Sequence, residues 1–114
     1  MADGASGWPL TAEKPTACFF LAEIEVHIAA PYREYVEKVS EIVRRYGGEY
    51  VFRSETITPM SGNWTPKRMV LIKFGSGEEL QRCFASPEYQ AIKHLRENST
   101  TSRSVIIQSH AAAP

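Results

Sequence analysis

The chain is poor in several things that would have named a function. Its 114 residues hold only two cysteines, Cys18 and Cys83. They lie far apart and form no CxxC pair, so the sequence offers no disulfide framework and predicts two buried free thiols in a reducing, cytoplasmic setting. No charge of one sign dominates: thirteen Lys and Arg balance thirteen Asp and Glu, which removes the field that would draw nucleic acid or an anionic membrane surface. No apolar stretch approaches the roughly 20 residues of a membrane span, and Met1 to Ala17 shows neither the basic start nor the apolar run of an export signal. The three histidines, His27, His94 and His110, fall on separate segments without HxxxH or HxH spacing, so no metal site is expected. Glycine-rich phosphate loops are absent too: Gly47-Gly48 reads as a helix stop and Gly75-Ser76-Gly77 as a helix start. No cofactor is expected from these residues, and there is no long internal repeat.

What is present describes one domain. With 43% hydrophobic residues, a chain of this length makes a single core. Residues 1–16 and 110–114 carry no periodic apolar set and are expected to be flexible ends, leaving 17–109 as the folded unit. Cys18 to His27 alternates Phe20, Ala22, Ile24 and Val26 against Glu23, Glu25 and His27, the pattern of a strand with one polar face. From Tyr32 to Tyr46 apolar positions step by three and four, predicting a helix that Pro31 starts and Gly47 stops. Glu49 to Ser54 and Thr56 to Met60 suit one bent strand or two short ones, and Lys67 to Phe74 suits a further strand. Ser76 with Glu79 is a capping box, and Ser86-Pro87-Glu88 is a second helix start, so a helical region broken near Ser86 is expected. Ser104 to Gln108 makes the last strand. The order is βαββαβ, the ferredoxin-like α+β arrangement, with both helices on one face of an antiparallel sheet. The other face is too apolar for water, and a homodimer packed sheet to sheet would cover it.

Several segments together resemble a known family. Ala22-Glu23-Ile24-Glu25-Val26, Tyr32-Arg33-Glu34-Tyr35, Tyr46-Gly47-Gly48-Glu49-Tyr50, Gly62 to Val70 and Ser86-Pro87-Glu88-Tyr89 are similar to domain of unknown function 1330, over about Phe19 to Ile107. The resemblance implies a dimeric α+β barrel, in which two ferredoxin-like sheets form a shared barrel and each protomer keeps a pocket between sheet and helices. It implies no reaction, because the family's role is not established. Ile28-Ala29-Ala30-Pro31 and Cys83-Phe84 depart from the family's usual residues.

The candidate site residues follow from the turn and strand between Gly62 and Phe74. Trp64 and Arg68 stand at the mouth of an apolar strand, and with Arg53 they can form an aromatic and cationic edge for a carboxylate-bearing molecule. The competing reading makes Trp64 a structural plug and pairs the arginines with Glu49, Glu55 or a partner subunit. Tyr35 and Tyr89, with Tyr32 and Tyr46, are core residues by their helical spacing and ligand contacts second. His27, in line with Glu23 and Glu25, is the candidate general acid or base, against the plainer reading of an exposed strand-end histidine. Neither cysteine has a neighbouring histidine to activate it as a nucleophile. Two functions remain open: a homodimer that binds a small organic molecule, or a cofactor-independent enzyme of the monooxygenase or isomerase type with His27 as base and Arg68 orienting an anion. The second rests on fold analogy.

Overall fold

Alternation of apolar side chains sets the first strand, β1 (Pro15–Val26), in a computed structural model that describes residues 15–110. Cys18, Ala22 and Ile24 point into the core while Glu25 is exposed. Helix α1 (Ala29–Arg45) begins two residues before Pro31, which sits in the first turn where its missing N–H breaks no helical bond. The stripe of Tyr32, Tyr35, Val39, Ile42 and Val43 is buried against the sheet, and Gly47 ends the helix at φ +88, a conformation glycine adopts without strain.

Strands β2 (Glu49–Ser54) and β3 (Arg68–Phe74) follow. Helices α2 (Gly77–Ala85) and α3 (Pro87–Glu97) then lead to β4 (Thr100–His110). The break between the two helices is chemical as well as geometric. Ser86 Oγ accepts the Tyr89 N–H at 3.1 Å to cap α3, while its own hydroxyl donates to the Cys83 carbonyl at 2.7 Å to close α2. At the start of α2 Ser76 Oγ accepts the Glu79 N–H at 3.1 Å, and the Glu79 carboxylate reaches back to the Gly75 N–H at 3.1 Å.

The four strands form one antiparallel sheet in the order β2-β3-β1-β4. With the helices on one face this is the ferredoxin-like α+β fold, its second helical segment split at Ser86. Phe20 pairs with Ile72 and Ile106, and Ala22 with Val70 and Ser104, so these side chains share the helix-facing side. Phe19, Leu21, Met69, Leu71, Val105 and Ile107 share the other side, where Val105 and Ile107 are exposed. Between Tyr50 and Phe52 the β2–β3 register shifts, so that Tyr50 faces Ile72 and Arg53 faces Val70. The bulge at Val51 thereby turns Arg53 onto the same face as Tyr50, which period-two counting from Tyr50 does not give.

Some boundaries differ from the sequence expectations. The flexible segment expected over 1–16 lies outside the described residues except for Pro15 and Thr16, which already belong to β1, with Thr16 Oγ1 2.7 Å from Ser109 Oγ. Of the tail expected over 110–114 only His110 is described, and it closes β4 by pairing with Pro15. Strand β4 starts at Thr100 rather than Ser104 because β1 offers it a ladder as far as Val26; the polar run Thr100 to Arg103 hides that pairing from a pattern search. Thr56 to Met60 forms no strand. Among the described residues no helix is long and apolar enough to cross a membrane.

Packing is tightest at one end of the sheet, around Phe74, Val43 and Cys83. Ile42 belongs to this core, and truncating Ile42→Ala is expected to cost about 2–5 kcal/mol, measured by chemical denaturation. A loss under about 1 kcal/mol would mean that the α1 stripe does not carry the core. Burial pushes the Cys83 thiol up to about 11 and raises that of Cys18 as well. Both should therefore resist iodoacetamide at pH 8 in the native protein and react at the rate of a free thiol only after denaturation; fast labelling of the native protein would contradict this placement.

Candidate functional site

Where α1 and α3 cross the sheet at the end away from Phe74, the layers do not close completely. A cavity of about 300 Å³ remains between them, floored by Ala22, Ile24, Val70 and Ile72 and roofed by Tyr32, Tyr35, Val39 and Tyr89. Its wall carries four cationic side chains, Arg53, Arg68, Lys93 and Arg96, and, among the described residues, no carboxylate; Arg103 borders it too, but its side chain lies on the sheet's other face against Glu23. In a chain whose charges balance overall, this is a local excess of positive charge in an apolar, aromatic setting.

The cations are held in different ways. Arg68, at the start of β3, donates from Nε to Tyr32 Oη at 3.0 Å and lies 3.4 Å from the exposed Glu55 carboxylate. Its side chain is only 16% exposed, whereas Glu55 is 69% exposed, so solvent screens that pair and leaves much of the guanidinium's field in the cavity. Arg53 stacks over the Tyr50 ring at 4.6 Å, and neither it nor Arg96 is paired with a carboxylate among the described residues. Lys93 and Arg103 are paired outside the cavity, with Glu97 at 3.6 Å and Glu23 at 2.8 Å. The hydrogen bond from Arg103 holds the Glu23 carboxyl below its ordinary range.

A hydroxyl network closes the far wall. Tyr35 Oη and Tyr89 Oη are 3.1 Å apart, with Tyr35 only 8% and Tyr89 only 5% exposed. Arg96 donates from Nε to Tyr89 Oη at 3.2 Å and from Nη1 to Ser102 Oγ at 2.9 Å. Burial pushes the Tyr35 hydroxyl well above the usual tyrosine range, and that of Tyr50 upward too. These phenols stay protonated at neutral pH and act as hydrogen-bond donors.

The six residues singled out from the sequence divide into two groups. Tyr35, Arg53, Arg68 and Tyr89 come together on the cavity wall. Trp64 is half-exposed and donates its indole N–H to Glu23 at 3.3 Å, on the opposite side of the sheet from the cavity floor. His27 is exposed at the end of β1, its Nε2 2.7 Å from Thr101 Oγ1, and does not line the cavity. The arrangement adds Arg96 and Tyr50. Arg96 stands seven residues after Tyr89, two helical turns along the same face, a signal that helical counting carries. Among the described residues no three His, Cys, Asp or Glu side chains gather to hold a metal ion.

The fold recurs among solved structures at low sequence identity. A protein of unknown function from Rhodopseudomonas palustris is similar with a TM-score of 0.73 at 14% identity, over 84% of each chain. SnoaB, a cofactor-independent oxygenase from Streptomyces nogalater, is similar with a TM-score of 0.60 at 17% identity, over 90% of this chain and 99% of that one. A nipsnap family protein of unknown function from Agrobacterium tumefaciens has a TM-score of 0.52 at 20% identity, covering 86% and 92%. No curated protein matches the chain in sequence. The sequence model of domain of unknown function DUF1330 matches residues 17–110, nearly the whole described domain, and the chain belongs to that family.

Proposed function

We propose that the protein is a homodimer in which each protomer binds a small organic anion, a carboxylate above all, in the cavity between sheet and helices. The observation that carries this reading is the lining: four cationic side chains and no carboxylate among the described residues, in walls that are otherwise largely aromatic and aliphatic. Guanidinium groups offer planar paired donors that match a carboxylate, and their strength rises where water is excluded. Size sets a limit on the ligand. A volume of about 300 Å³ is twice the roughly 150 Å³ that admits a benzene ring, so a substituted one-ring or two-ring acid fits and a large cofactor does not.

The dimer is supported by the sheet's outer face. Phe52, Val105 and Ile107 are exposed there, beside the half-buried Phe19, Leu21, Met69 and Leu71. A contiguous apolar surface of this kind is rare on a monomer, and a second sheet packed on it would remove it from water.

An enzyme of the monooxygenase or isomerase type is the alternative, and the fold likeness to SnoaB, named a cofactor-independent oxygenase, is what favours it. In that reading His27 would serve as general base. Its exposed position, bonded to Thr101 and off the cavity wall, favours binding over a reaction driven by that histidine.

Two measurements test the proposal. Light scattering at micromolar concentration is expected to give the mass of a dimer, and a monomer mass would remove the sheet-to-sheet assembly. A thermal-shift screen of small carboxylic acids, run in parallel on wild type and Arg68→Lys, is expected to find acids that stabilise wild type. The lysine variant keeps the charge but loses the fork, so the same acids should bind it more weakly by about 1.5 kcal/mol, roughly tenfold in Kd. No stabilising acid, or equal responses of the two proteins, would leave Arg68 a purely structural residue.

A further inference from the structure

The tyrosine pair on the cavity wall has one proton more than its partners can accept. Arg96 Nε donates to Tyr89 Oη, so that oxygen is already an acceptor. The contact between Tyr35 Oη and Tyr89 Oη uses one of the two hydroxyl protons, whichever residue supplies it. If Tyr35 donates, the Tyr89 proton has no protein acceptor among the described residues; if Tyr89 donates, the Tyr35 proton has none. Among the described residues no carboxylate lines the cavity to take it. A buried donor without an acceptor is costly, and a ligand or water oxygen must complete it.

We infer that this spare hydroxyl, backed by Arg96, is the docking point for an acceptor oxygen of the ligand, so that the cavity takes a planar conjugated acid carrying a second oxygen, a carbonyl or a deprotonated hydroxyl, besides its carboxylate. This inference rests on the anion-binding reading proposed above and narrows it to a ligand class. Arg68 at Tyr32 and Arg96 at Tyr89 mark the two ends of the row Tyr32, Tyr35 and Tyr89. Neighbouring ring centroids along that row are 6.1 and 6.2 Å apart, a span that a substituted two-ring molecule matches. The carboxylate belongs at the Arg68 end, where Arg53 adds a second cation. The acceptor oxygen belongs at the Tyr35 and Tyr89 end, where the donors are neutral hydroxyls held in place by a guanidinium that also bonds Ser102. A site built from such donors discriminates against analogues that lack the oxygen, because the donor is then left buried and unpaired.

The test compares two acids of similar size and shape by calorimetry: chromone-2-carboxylate, which carries a ring carbonyl, and 2-naphthoate, which does not. Wild type is expected to bind the chromone acid about tenfold or more tightly than the naphthoate, a comparison that needs no variant. Tyr35→Phe and Tyr89→Phe should each keep part of this preference, because either variant still leaves one hydroxyl without a protein acceptor. The double variant Tyr35→Phe with Tyr89→Phe should lose the preference, chromone-2-carboxylate losing about tenfold more affinity than 2-naphthoate. If wild type binds both acids equally, or if the double variant keeps the preference, the acceptor-oxygen site is overturned and the anion pocket stands. If wild type binds neither acid, the anion pocket itself falls and this inference falls with it. Should the double variant fail to fold, the wild-type comparison decides: equal binding of the two acids overturns the inference, and a preference of about tenfold for the chromone acid upholds it.

Discussion

Everything in this domain depends on how closely two helices can approach the inner face of one sheet. At the Phe74 end they approach fully, and the contact is possible because residue 48 has no side chain: a Cβ on Gly48 would stand 2.6 Å from Val43 Cγ1 and 2.8 Å from Phe74 Cε1. Val43 and Phe74 are accordingly buried without remainder. At the other end the side chains between the layers are tyrosines and arginines, whose rings and guanidinium planes hold the layers apart without filling the gap. The cavity is the consequence of that gradient in side-chain size along one interface. A uniform aliphatic core would have closed it.

The same gradient sorts the charges. Among the described residues no acidic side chain is buried, and Glu34 pairs with Lys38, Glu88 with Arg45 and Glu97 with Lys93 in solvent-screened contacts of little energetic weight. Cations with long apolar stems can lie along the cavity wall and keep their heads in a half-buried, polar position, which the shorter carboxylates do not do as readily. Arg68 and Arg96 are steadied by tyrosine hydroxyls, Arg68 keeping besides only a solvent-screened contact to Glu55. A neutral acceptor fixes the orientation of a guanidinium without cancelling its charge. The protein is thus electrically balanced as a whole and unbalanced at one place, which supports an anion as the occupant.

The outer face of the sheet sets a separate requirement. Its apolar side chains come from the strand positions that alternate with the core set, so the strands are apolar on both faces, and Val105 and Ile107 remain exposed. Sequence periodicity alone detects this two-sided pattern, because it needs only the side-chain alternation of a strand. What the described chain leaves open to solvent, a second sheet of the same kind could cover.

By itself the sequence determined the elements and their order. Local chemistry decides those: helical spacing from Tyr32 to Tyr46, the stop at Gly47, and the Ser76 and Ser86 caps all act within a few residues, and each is present in the structure. From that order the ferredoxin-like sheet follows, since short connections and alternating strands allow few other arrangements. Part of the cavity wall was legible as well, because Tyr35 and Tyr89 lie on faces fixed by helical period and Arg68 at a strand start. Tertiary structure decided the rest. A one-residue bulge opposite β3 turned Arg53 inward, the pairing with β1 extended β4 through polar residues that carry no strand signal, and the packing of α3 beside α1 brought Tyr89 to Tyr35. Trp64 and His27 were drawn instead to surface partners, Glu23 and Thr101. Each of these outcomes depends on contacts between segments distant in the chain, and a pattern read along one segment contains no term for them.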